Sequence, residues 1–290
     1  MSPAELMARL DADLSALSQV DATTTADSLE AIDLAATLDA SLVEQMVSGI
    51  YLKPGDVRGA AELIVPSSAD KTLQPVALYV PTSYTPARLA PVILMLHGQG
   101  QTESQLLATP FLRALAEQTG SIFAAPYARG DQVFDTPGIT DVYDALALLQ
   151  ASLRVDHRRV YLCGYSLGGF GVFIVAPQHA QDWTALLAVA GTLTNDDKTN
   201  VVRAMAGKQV FLVIGADDPL VKAEYVRGAA AYLTVNGVET GFYEQPGGLH
   251  SLQSLQPAVE RAWRDMFSGV RNVAPTIDLP SPQPMASKRT

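Results

Sequence analysis

The chain predicts an α/β fold: a mostly parallel central sheet with helices on both faces. Three observations carry that prediction. Short apolar runs, such as residues 92–96 and 160–163, have the continuous hydrophobicity of strands covered on both faces. They alternate with amphipathic segments of about ten to fifteen residues, the pattern of βα units. The composition, 48% hydrophobic and only 17% charged, suits a doubly covered sheet and not a disordered chain. At 290 residues there is room for one large domain and an appendage.

Charge places the appendage. The net charge is −10, yet residues 1–50 hold nine acidic side chains and one basic one, Arg9. The rest is nearly neutral, so no nucleic-acid partner is expected. The lone cysteine, Cys163, excludes an intrachain disulfide and reads as an inert core residue. The N-terminus lacks a basic region followed by an apolar block, and no apolar run approaches the ~18 residues of a membrane span. Cytoplasmic residence is the default expectation, with secretion the alternative if a leader has been removed.

Residues 1–58 read as an acidic amphipathic helical arm. Ser2, Pro3 and Glu5 make a capping box with proline in the first turn. Leu6, Leu10, Leu14 and Leu17 follow as one stripe, which residues 23–25 interrupt. A second stripe runs through Leu29, Ile32 and Ala36. A new capping box at Ser41 and Glu44 comes with Leu42 and Met46, and Gly49 ends the pattern, so the arm reads as two or three amphipathic helices. The stripes should be covered by the body or by a second subunit, with the carboxylates on the solvent side. A homo-oligomer through this arm is one expectation, and shaping of the site's rim another.

Residues 59–267 read as the α/β body. Segments 60–65 and 76–80 have no helix between them and should form an antiparallel edge. Strands follow at 92–96, 121–125, 160–165, 186–190, 209–214 and 240–243. Helices are expected at 103–118, 141–153, 167–176, 195–205, 224–234 and 252–267, and a loop at 127–138. Fewer than 20 residues join the strand ending near Gly191 to the one starting near Gln209, which leaves no room for a large lid. The proline-rich tail, 268–290, reads as extended or disordered.

The chemistry centres on residues 159–171, RVYLCGYSLGGFG. An apolar strand turns sharply at Gly164-Tyr165-Ser166-Leu167-Gly168. A helical pattern with Phe170, Phe173 and Ile174 comes next. This is a nucleophile elbow. A serine on so tight a turn is strained, so the residues two before and two after it must lack bulk, and Gly164 and Gly168 supply that. The turn lifts the hydroxyl above the sheet edge and aims a helix N-terminus at the reacting atoms.

A serine nucleophile needs a base, and the base an orienting acid. In the fold that carries this motif the chain order is serine, acid, histidine. Of the four histidines, only His179 and His250 come after Ser166. His179 falls at the far end of the elbow helix. His250 lies in a glycine-flanked loop before the last helix and is the candidate base. The acid belongs after strand 209–214, where Asp217 and Asp218 are adjacent. Asp218 is favoured because Pro219 fixes the chain leaving the turn, while its neighbour would cap the next turn or helix. After strand 92–96 comes His97-Gly98-Gln99-Gly100. There the N–H of Gln99, with that of Leu167, is placed to hold an oxyanion, and His97 reads as structural. Histidines and cysteine do not occur at metal-ligand spacing, and no phosphate loop or dinucleotide fingerprint is present. No metal and no cofactor are expected.

Taken together, HGQG at 97–100, GYSLGG at 164–169, GADDPLV at 215–221 and GGLHS at 247–251 resemble the four signatures of the α/β-hydrolase superfamily. Within it the chain is similar to carboxylesterases grouped with feruloyl esterases, polyhydroxybutyrate-depolymerase-like esterases and prolyl-oligopeptidase-type peptidases. Segments VALYVP at 76–81 and VDHRRV at 155–160 belong to that likeness. It covers residues 59–267 and neither the arm nor the tail. It implies an α/β-hydrolase fold and a serine esterase working through an acyl-enzyme on a small-molecule or polymer-derived ester. It also implies Ser166 as nucleophile, Asp218 as acid, His250 as base, and Gln99 and Leu167 as oxyanion donors. The rivals are a peptidase of the same fold, and a non-catalytic binding module, against which the intact Ser, Asp and His set stands. Tyr127, Trp183 and Leu193 are candidate pocket residues and equally candidate core.

Overall fold

Eight strands form one sheet in the order β1-β2-β4-β3-β5-β6-β7-β8. They are β1 (Gly59–Pro66), β2 (Leu73–Val80), β3 (Ala90–Leu96), β4 (Ile122–Pro126), β5 (Val155–Tyr165), β6 (Ala185–Val189), β7 (Gln209–Gly215) and β8 (Glu239–Gln245). The computed structural model of the chain describes residues 1–132, 136–194 and 198–269. β1 pairs antiparallel with β2, and β2 antiparallel with β4; β4, β3, β5, β6, β7 and β8 run parallel. Every residue of β3, β4 and β6 is buried, as their unbroken apolar runs require.

The chain leaves β3 toward β4 on one side and returns to β5 on the other. That reversal opens a crevice at the C-terminal ends of β3 and β5, where open α/β sheets bind ligands. Helices α4 (Pro110–Thr119) and α9 (Leu252–Ser268) cover one face together with the arm. Helices α5 (Thr136–Ser152), α6 (Leu167–Val175) and α8 (Ala223–Val235) cover the other. The short α3 (Glu103–Leu107) comes after β3, and α7 (Lys198–Ala204) after β6.

Several expected boundaries move, each for a local reason. The helix expected at 103–118 is two, α3 and α4, broken at Thr109. Pro110 has no N–H to donate and so takes the first position of a new helix. The helix expected from Asp141 starts at Thr136, inside the expected loop, while residues 133–135 and 195–197 lie outside the described residues. So does the tail from 270; residues 268–269 only finish and cap α9.

The arm differs most from expectation. Its two helices are α1 (Pro3–Ser18), with the Ser2–Glu5 capping box formed, and α2 (Ala26–Ser48), capped by Thr25. Ser41 and Glu44 start no third helix: α2 runs through them unbroken. A capping box needs an extended N-cap, which a continuous helix denies. The leucine stripe of α1 does not simply face inward either. Leu6 is buried, but Leu14 is 64% exposed. The inward face is instead Leu6, Arg9 and Asp13, spaced three and four apart, and Asp39 of α2 is buried against it. Two of the arm's carboxylates are thus buried rather than solvated, because Arg9, the single arginine of residues 1–50, is buried with them.

Candidate active site

Four strand ends meet at the crevice. β5 delivers Ser166 with φ +52° and ψ −114°, a conformation that L-residues avoid and that a sharp strand-to-helix turn imposes. Surrounding backbone holds it there. The Ser166 N–H donates to the Val189 carbonyl at 2.8 Å, and the Gly168 N–H to the His97 carbonyl at 3.0 Å. A Cβ on Gly164 would sit 2.1 Å from the Gly168 oxygen, and one on Gly168 would sit 2.2 Å from the Leu96 oxygen. Neither position admits any side chain.

His250 lies half-buried in the loop after β8. Its Nε2 is 2.7 Å from Ser166 Oγ, and its Nδ1 is 2.7 Å from Asp218 Oδ2. Asp218, in the loop after β7, is buried, and its other oxygen accepts the Leu220 and Val221 N–H groups at 2.9 Å each. Pro219 offers no N–H, so the carboxylate reaches the next two. One carboxylate therefore both holds the imidazole and caps the turn, a job expected of its neighbour. Asp217 points into solvent, while its N–H donates to the Gly248 carbonyl at 3.0 Å. Gly215 packs so tightly on that carbonyl that a Cβ would come within 2.2 Å of it. The acid loop and the histidine loop are thus laced together through backbone.

The loop after β3 supplies the remaining polar groups. His97 is buried, with Nδ1 2.9 Å from its neighbour Gly98's carbonyl and Nε2 3.0 Å from that of Tyr127. It braces the loop and does not reach Ser166. Gln101 Oε1 takes the Gly98 N–H at 3.1 Å, and Asp131 takes the Gly100 N–H at 2.8 Å. The N–H groups of Gln99 and Leu167 have no acceptor among the described residues. Leu167 opens α6, so its N–H has no helical partner. The Gly98 backbone lies against the Tyr165 ring and Ser166 Cβ, so this loop stands beside the serine.

Other expected residues sit elsewhere. His179 packs on the Tyr143 ring, with centroids 4.4 Å apart, at the far end of α6. Trp183 is core, its Nε1 donating to the Tyr143 hydroxyl. Leu193 lines a separate cavity with Phe170 and Leu220. Tyr127 packs under the Arg9 guanidinium. Burial pushes the Cys163 thiol up, which leaves it an inert neutral group.

Two features carry a signal in the sequence that motif reasoning misses. Tyr165, at the elbow position before Ser166, donates its hydroxyl to the His250 carbonyl at 3.0 Å and so steadies the histidine loop. Burial and the Asp218 charge raise this phenol, which stays a neutral donor. Arg9, the one basic side chain of the strongly acidic residues 1–50, is the other. It donates to Asp39 at 2.7 and 3.0 Å and to Ser104 at 3.1 Å, and pairs by charge with Glu103 at 2.7 Å, all buried. Glu103 and Ser104 open α3, just after the loop at 97–100, so the arm is fastened to the chain that leaves that loop. A second fastening joins Glu30 of α2 to Arg113 of α4.

Comparison with known proteins agrees with this fold. The model of the alpha/beta hydrolase family matches residues 93–290. A bifunctional acetylxylan esterase/xylanase, XynS20E of Neocallimastix patriciarum, is 27% identical over 154 residues, which are 50% of this chain and 22% of that enzyme. Among solved structures, the fluorophosphonate-binding serine hydrolase FphF of Staphylococcus aureus superposes with a TM-score of 0.62 at 14% identity, covering 72% of this chain and 98% of that one. A CE1 ferulic acid esterase of Anaeromyces mucronatus gives 0.58 at 16% identity, covering 77% and 96%. A Pyrobaculum calidifontis esterase gives 0.59 at 14% identity, covering 93% and 99%. At these identities the likeness to the solved structures is one of fold.

Proposed function

This chain belongs to the alpha/beta hydrolase family, and from that premise we propose that it cleaves carboxylic esters through an acyl-enzyme on Ser166. The observation that carries the reading is the unbroken relay from Ser166 Oγ through His250 to Asp218, two contacts of 2.7 Å on a serine held at positive φ.

Each step starts from an atom in place. His250 Nε2 takes the Ser166 proton as Oγ attacks the ester carbonyl. Asp218 accepts from Nδ1, which fixes the tautomer and offsets the charge the imidazole gains. The oxyanion of the tetrahedral intermediate is held by the Gln99 and Leu167 N–H groups, at the N-terminus of α6. Collapse expels the alcohol, to which His250 returns the proton. Water then repeats the sequence on the acyl-enzyme and releases the acid.

The acetylxylan and ferulic acid esterases among its relatives favour a small acyl or aryl ester, free or on a polymer. A panel of nitrophenyl esters, methyl ferulate and matching peptide amides tests this. Ester hydrolysis with a stoichiometric burst of the first product is expected. Amide cleavage faster than that of the matched ester would contradict it.

A further inference from the structure

Beside the relay lies a cavity of about 280 Å³ whose walls come from distant parts of the chain. Tyr165 precedes Ser166, Gln101 belongs to the oxyanion loop, and Leu252 stands two residues after His250. The opposite wall is the first turns of α2, with Asp27, Ser28 and Ala31. Through Asp27, Pro110, Phe111 and Gln256 it continues into a second cavity of about 510 Å³ between α4 and α9. The arm is therefore one wall of a groove whose inner end is lined by chain neighbours of Ser166 and His250.

Resting on the esterase reading above, we propose that this groove takes the alcohol half of the ester, and that α2 selects for bulky alcohols bearing no negative charge. The side is set by the chemistry. His250 must touch the leaving oxygen to protonate it, so the alcohol departs along the flank of His250. That flank is formed by Leu252 and by Tyr165, whose hydroxyl is bonded to the His250 carbonyl. The class is set by the walls. Phe111, Pro110, Ala31 and Leu252 give apolar faces for a ring, and glutamine amides give neutral hydrogen-bonding groups. Among the described residues Asp27 is the one acidic side chain lining the inner cavity, and no Lys or Arg lines it to pair with an anionic alcohol; Arg264 lines only the outer cavity, together with Glu260. The ion pair of Glu30 with Arg113 holds this stretch of α2 in place.

The experiment uses the full-length protein and acetate esters that differ only in the alcohol: ethyl acetate, 4-acetoxybenzamide and 4-acetoxybenzoate. A parallel ethyl ester series extends the acyl chain from acetate to hexanoate. Ala31→Trp narrows the cavity from the arm side and touches no group of the relay. It should lower kcat/KM for the benzamide ester about tenfold or more, through KM, and leave every ethyl ester within about twofold. Asp27→Lys should raise the rate for the benzoate relative to the benzamide by roughly three- to tenfold, an effect that salt suppresses. Loss confined to longer acyl chains would overturn the assignment of side. Unchanged alcohol preference in both variants, with ethyl acetate still hydrolysed, would overturn the groove's role altogether. If the wild type hydrolyses none of these esters, the esterase reading itself fails and this inference falls with it.

Discussion

Two polar networks flank the loop at 97–100, and they are built on opposite principles. In the relay of Ser166, His250 and Asp218 every polar side-chain atom is partnered, and tight loops at strand ends fix the geometry. In the node around Arg9, four carboxylates, Asp13, Asp39, Glu62 and Glu103, crowd one guanidinium. Charge there is not balanced, so protons must make up the difference. Burial and the neighbouring Asp39 push Asp13 up to about 6, and burial and the neighbouring Glu103 raise wholly buried Glu62 well above the usual carboxylate range. The relay is rigid because its backbone leaves no room. The node is held by ionisation, and it should yield to pH and to substitution.

The contrast is broken most severely at the relay. Ser166→Ala should cut ester turnover by about 10⁴-fold or more and leave the melting temperature nearly unchanged. A variant that keeps a tenth of the wild-type rate would show that the nucleophile lies elsewhere. Asp218→Asn should also cost on the order of 10⁴-fold, through the wrong imidazole tautomer, while Asp217→Asn stays within about twofold because its carboxylate meets solvent. A reversed order of damage would reassign the acid.

At the node the expected loss is of stability. Arg9→Met leaves buried carboxylates without their cation and should destabilise the protein by about 3–5 kcal/mol, measured by denaturant unfolding. A change below about half a kcal/mol would mean the node is already neutral. The smallest effect is in pH. A carboxyl raised by folding contributes stability in full below its unfolded value, and that contribution is lost as pH rises through the folded value. For Asp13 the window runs from about 4 to about 6, and for Glu62 it extends higher. Melting temperature should fall across it, and Glu62→Gln with Asp13→Asn should flatten the slope. An unaltered slope in the double variant would place the titrating groups elsewhere.

The same contrast explains what can be read from sequence. The relay is legible because each member lies within a short motif: a serine between glycines, an aspartate before a proline, a histidine after two glycines. The parallel sheet is legible because its strands are unbroken apolar runs. The strand order is not, since pairing is decided by contacts far apart in the chain. The node is hidden for the same reason. Arg9 meets Glu103 across 94 positions, and the leucine pattern of α1 points to a face that leaves Leu14 in solvent. An amphipathic stripe is a weak guide where the inward face is itself polar. Only the isolation of Arg9 among nine carboxylates hints at it.

The central claim is that Ser166 alone carries the acyl group, with the arm shaping its surroundings and not its reactivity. Intact-mass and peptide-mapping mass spectrometry after treatment with a small fluorophosphonate tests it directly. One adduct per chain, on Ser166, is expected in the wild type and in Arg9→Lys, and none in Ser166→Ala. An adduct that persists in Ser166→Ala, or a folded wild type that takes up no label, would contradict the account.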